Sequence, residues 1–113
     1  MYHEPALRIH REVGNRVFEG IALGSIGRAY SDLGDQRKAL EYFDQALQIH
    51  RNPKVNNRVF EGRVLGLKGV AKFELGEKEE GVRLVKQALE IARQVGEKTT
   101  EEEWLETLER MQS

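Results

Sequence analysis

The six-residue string Asn15-Arg16-Val17-Phe18-Glu19-Gly20 recurs letter for letter at Asn57-Arg58-Val59-Phe60-Glu61-Gly62. The resemblance between copies extends beyond the string. Ala6-Leu7-Arg8-Ile9-His10-Arg11 is matched by Ala46-Leu47-Gln48-Ile49-His50-Arg51 and again by Ala88-Leu89-Glu90-Ile91-Ala92-Arg93, while Gly20, Gly24, Gly27 and Gly34 return as Gly62, Gly66, Gly69 and Gly76. Self-similarity at a period near 40 residues is the mark of stacked supersecondary units, none of which buries its apolar face alone. Such a chain offers a surface for binding.

Apolar spacing and punctuation predict helices throughout. Ala39, Leu40, Phe43, Ala46 and Leu47 fall at helical intervals, as do Val82, Val85, Ala88, Leu89, Ala92 and Val95, and no stretch alternates with period two. Six helical segments are expected. The first ends at Gly14, the second is capped by Asn15 and closed by Gly34, and the third is capped by Asp35 and runs to about Arg51 before the Asn52-Pro53 turn. The fourth is capped by Asn57 and closed by Gly76, the fifth ends at Gly96, and the sixth opens on Thr99 and Thr100 with Glu102 and Glu103 in capping-box positions. Trp104, Leu105, Leu108 and Met111 are its expected inward face. Gly20, Gly24 and Gly27 sit inside a helix, where glycine costs about 1 kcal/mol relative to alanine, so close helix approach is the expected compensation.

Composition excludes several classes. With 18 basic and 19 acidic side chains in 113 residues, the chain has no general field to attract nucleic acid or an anionic bilayer. The absence of cysteine removes disulfides, thiolate metal ligands and cysteine nucleophiles. No segment approaches the roughly 18 apolar residues of a spanning helix, and the start lacks a leader pattern, which points to a cytoplasmic protein with no membrane role. His10 and His50 occupy equivalent repeat positions and do not converge, so no metal site is expected. The glycine run from Gly20 to Gly27 lies within a helix and not between a strand and a helix, which excludes a phosphate loop. Neither a catalytic constellation nor a cofactor site emerges, and a non-enzymatic role follows.

Leu23-x2-Ile26-Gly27-x2-Tyr30-x3-Gly34-x4-Ala39-x3-Phe43-x2-Ala46 resembles the consensus of the tetratricopeptide repeat. The longer period and the Gly-Asn-Arg-x2-Glu-Gly linker are similar to the roughly 40-residue branch seen in kinesin light chains, cell-polarity adaptors and bacterial regulators. The resemblance implies an all-α fold, antiparallel helix pairs stacked as a short right-handed superhelix. It divides the single domain into a truncated repeat helix (1–14), two repeats (15–53 and 54–97) and a capping helix (98–113). The second repeat departs from the pattern: Lys68 and Lys72 stand for Ile26 and Tyr30, and Gly81 and Val85 for Ala39 and Phe43.

In such arrays the first helix of each unit lines a concave face. The resemblance therefore places Ser25, Arg28 and Asp32 beside Arg63, Leu67, Val70 and Glu74, with Phe73 at the edge and Glu103, Glu106, Thr107 and Arg110 extending the face. Arg28 and Arg63 have planar, permanently charged forks suited to a carboxylate. The implied function is protein–protein interaction, with a peptide segment of a partner held in the groove. The alternative is self-assembly as a homodimer, or service as part of a larger regulator, with Leu7 and Ile9 as self-association residues.

Overall fold

The computed structural model describes the backbone of residues 4–113 and the side chains from residue 12 onward. Five α-helices follow one another: α1 (Glu4–Asp32), α2 (Gln36–Arg51), α3 (Arg58–Glu74), α4 (Lys78–Val95) and α5 (Lys98–Gln112), with no strand among the described residues. Chain neighbours pack against one another, most extensively α3 with α4 and α1 with α2, which is the arrangement of a short helical repeat array.

Most of the expected boundaries hold. Gly34, Gly76 and Gly96 have φ of 88°, 96° and 77°, the left-handed region where a Cβ is penalised, and each ends a helix. The Asp35 carboxylate accepts from the Lys38 amide and the Asn57 carbonyl oxygen from the Phe60 amide, so both are side-chain N-caps. Two expectations fail. Gly14 and Asn15 lie inside α1, so the first two expected helices are one and the count is five, not six. Gly14 lacks a positive φ, and an interior glycine weakens a helix by only about 1 kcal/mol without ending it. At the other end, α5 begins at Lys98 with Glu97 in the cap position and no side-chain cap bond, so Thr99 and Thr100 are first-turn residues and form no capping box.

The core is one layer thick. Ala39, Phe43, Ala46 and Leu47 of α2, Val64, Leu65 and Ala71 of α3 and Leu84, Ala88 and Ile91 of α4 make its main cluster. A smaller cluster of Val85, Leu89 and Leu108 seats α5. Trp104 touches both, whereas Leu105, expected inside, is 41% exposed because the terminal helix has a neighbour on one side only.

The helix glycines are explained by packing in register. A Cβ on Gly20 would lie 2.7 Å from the His50 ring, one on Gly62 2.6 Å from Ile91, and one on Gly27 2.7 Å from the Phe43 ring. Backbone meets backbone most closely where a Cβ on Gly69 would stand 2.7 Å from the Gly81 carbonyl oxygen, and again where one on Gly27 would stand 3.1 Å from the Ala39 carbonyl oxygen. Elsewhere the missing side chain makes room for a neighbour's larger one. Replacing Gly27 with leucine is expected to cost about 1–3 kcal/mol in a thermal melt, since the leucine must displace Phe43, which is fully buried.

Lys68 and Lys72, which replace Ile26 and Tyr30 in the second repeat, find ionic partners. Lys68 Nζ is 2.8 Å from Asp44 and Lys72 Nζ 3.4 Å from Glu77. Their stems cover the α3 surface while the ammonium groups remain near water.

Candidate peptide-binding groove

A trough of about 860 Å³ runs between α1, α3 and α5. Ile21, Ser25 and Arg28 come from α1, Phe60, Arg63 and Leu67 from α3, and Thr100, Glu103, Trp104 and Thr107 from α5. These helices alternate with α2 and α4 along the chain, so residues four apart on each present a continuous row to the same side. A second depression of about 660 Å³ shares Arg28 and Leu67 with the first and continues past Asp32, Val70, Glu74 and Arg110.

Of the eight groove residues expected from sequence, Ser25, Arg28, Arg63 and Leu67 line the main trough, and Asp32, Val70 and Glu74 line its extension. Leu67 and Val70 also pack against the core clusters. Phe73 lines neither. Its Cβ and amide lie under Gly81 while the Lys78 ammonium sits 5.6 Å from its ring, so it belongs to the α3–α4 junction. Glu103 and Thr107 reach the trough and Arg110 its extension, but Glu106 does not. Leu7 and Ile9 lie outside the residues whose side chains are described.

The two arginines differ. Arg63 donates to the Glu97 carboxylate at 2.9 Å and stands over the Phe60 ring at 5.2 Å, which holds it at one wall. Arg28 forms no ion pair with another described residue and is exposed. In the extension, Glu74 accepts from the Gln36 amide, whose own carbonyl accepts from Ser31 at 2.8 Å. The trough is therefore cationic near Arg28, and its extension sets Asp32 and Glu74 beside Arg110.

Sequence reasoning did not assign the Trp104 indole N–H or the His50 ring to the site. Both nitrogens of His50 and Nε1 of Trp104 are buried without a hydrogen-bond partner among the described residues, and both side chains line the trough. Trp104 fills the space over Gly66, where a Cβ would fall 2.2 Å from its ring. A single tryptophan on the apolar stripe of a terminal helix, in a chain with a mid-helix glycine to receive it, is the signal that marks this contact in the sequence.

His50 is 1% exposed and stacks on Phe60 with ring centroids 5.7 Å apart. Burial lowers its pKa from 6.5, outweighing the neighbouring Gly20 backbone and Glu61 carboxylate, which favour the charged ring. The folded protein thus binds fewer protons here than the unfolded chain, and stability rises with pH. This contribution is complete above pH 6.5, the unfolded value, and is lost as pH falls from there through the lower folded value. Urea denaturation midpoints are expected to drop on acidification through this window, and less so in His50→Phe, which keeps the stacking.

A helical array with a groove along one side defines a class of scaffold. Two profiles of the tetratricopeptide repeat match the sequence, one over residues 1–52 and the other over residues 62–95. The chain belongs to the tetratricopeptide repeat family, whose repeats are in general protein-interaction modules and typically non-catalytic scaffolds. No match to a curated protein is found. No helix among the described residues is long and apolar enough to cross a membrane.

Proposed function

We propose that this protein binds a peptide segment of a partner protein in the trough between α1, α3 and α5, and that the segment carries apolar side chains and one or two carboxylates. The observation that carries this reading is the trough itself, which sets the exposed Arg28, without an ion-pair partner among the described residues, beside the apolar Ile21 and Leu67. Arg28 supplies a charge-assisted contact nearby, while Leu67 and Ile21 offer apolar area. Beyond Arg28 the extension sets Asp32 and Glu74 beside Arg110, which favours a segment of mixed charge over a wholly acidic one.

A displayed library of acidic, neutral and basic peptides supplies the ligand, and the only tryptophan of the chain supplies the signal, since Trp104 fluorescence responds to occupation of the trough. Selected peptides are expected to combine apolar residues with a carboxylate. Arg28→Glu with Arg63→Glu should weaken them more than 10-fold, about 1.4 kcal/mol or more, while leaving helicity unchanged. Equal affinity of the doubly reversed protein, or selection of basic peptides, removes this face from the function.

A further inference from the structure

Arg63 is held at the trough wall with part of its hydrogen-bonding capacity unused. Its guanidinium lies over the Phe60 ring at 5.2 Å and gives one N–H to the Glu97 carboxylate at 2.9 Å. The bond is single, whereas Arg83 holds Glu80 through both Nε, at 3.0 Å, and Nη2, at 2.6 Å. A guanidinium presents several N–H donors in a planar fork that matches a carboxylate through two parallel bonds, so Glu97 engages Arg63 below its capacity.

Glu97 reaches Arg63 from the N-cap position of α5, just after left-handed Gly96, and its carboxylate makes no cap bond there. One unit earlier the N-cap residue is Asn57, whose side chain does bond its own helix, at the Phe60 amide. The α1 residue that aligns with Arg63 in the repeat is the apolar Ile21. This charged pair thus has no counterpart across α1 and α3, and both of its members line the trough. Both also stay partly in water, with 45% and 26% of their side-chain surface exposed, so the bond is readily exchanged for another. Arg28 lies seven residues past Ile21, about 10 Å of helix, and marks a separate point of the trough.

We propose that Glu97 is a built-in substitute for a ligand carboxylate: it occupies the Arg63 fork in the free protein, repels acidic side chains from that point of the trough, and so confines the carboxylate of a bound peptide to the Arg28 end. This rests on the reading of the trough as a peptide groove and narrows it, because a segment with a second carboxylate beside Arg63 meets the like charge of Glu97 at short range. Specificity then comes from a residue that repels the wrong partner as much as from the arginine that attracts the right one.

Glu97→Gln keeps the size of the side chain and removes its charge. The displayed peptide library is run on the parent, on Glu97→Gln, and on Glu97→Gln combined with Arg63→Gln. The parent is expected to select peptides with one carboxylate and Glu97→Gln peptides with two, which the variant should bind about fivefold more tightly than the parent does, a gain that the added Arg63→Gln abolishes. Glu103→Gln takes the same charge out of the same trough, but Glu103 pairs with no cation among the described residues, and its effect should stay below about twofold. Equal affinity of the parent and Glu97→Gln for every selected peptide overturns the proposal while leaving the groove reading intact. A gain that survives Arg63→Gln, or that Glu103→Gln matches, also overturns it, since the effect is then one of net charge alone. Selection of no peptide by any of these proteins overturns both.

Discussion

Trp104→Ala is expected to destabilise the protein by about 3 kcal/mol, at the lower end for removing a large aromatic because the ring is only partly buried. The ring fills the space over Gly66 and joins the main core to the small cluster beneath α5. An alanine opens a gap that the α3 backbone cannot close, because Gly66 has no side chain to swing into it. The loss should be local as well as global: amide exchange in α5 is expected to speed up before that in α3 and α4, since α5 has its main contacts with α4 alone. Trp104→Phe separates packing from hydrogen bonding. It retains most of the ring and loses only an N–H without a partner among the described residues, so the melting temperature should stay close to that of the parent. If Trp104→Ala unfolds like the parent, α5 is not held by this contact.

Gly69→Ala should be the more costly of two chemically identical changes. Alanine gains about 1 kcal/mol of helix propensity over glycine at either site. At Gly69 the new methyl would meet the Gly81 carbonyl oxygen at 2.7 Å and Val85 at 2.8 Å, so the α3 and α4 backbones must separate. A net loss of about 2 kcal/mol follows from such overpacking, and at roughly 4–8 °C per kcal/mol the melting temperature should fall by about 10 °C. At Gly24 the nearest atom is Val64 Cγ2 at 3.4 Å, an ordinary contact, and alanine there is expected to be neutral or stabilising. Equal shifts for the two substitutions would show that the α3–α4 crossing is looser than its geometry implies.

The repeat made most of this architecture legible. Asp35 and Asn57 are recognisable as caps because a short polar side chain before an apolar stripe has one efficient use, and Gly34, Gly76 and Gly96 end helices in the conformation that suits glycine best. Gly14 was misread because the same residue ends one helix and interrupts another, and only contacts beyond the local sequence select between them. Within the trough, Arg28, Arg63 and Leu67 could be placed by register alone. The Glu97 partner of Arg63 and the burial of the Trp104 N–H depend on how α5 folds back, a three-dimensional relation with no counterpart in spacing. Phe73 looked free for binding for another reason: Gly81, which clears space for it on the next helix, reads as a departure from the repeat pattern.

The helices that wall the trough touch one another at few places, chiefly where the Trp104 ring of α5 sits on Gly66 of α3. α1 meets α3 sparingly, and the extensive contacts of all three walls run to α2 and α4 behind them. The width of the trough on its α1 side is therefore held at one remove, through α2 at the back, like the leaf of a book held at the spine. A segment seated between the leaves would add a direct strut from α1 to the α3–α5 pair that Trp104 already joins. Peptides that differ in girth would then select different openings of the same array, and a partner gripped at one edge would stiffen the whole sheaf.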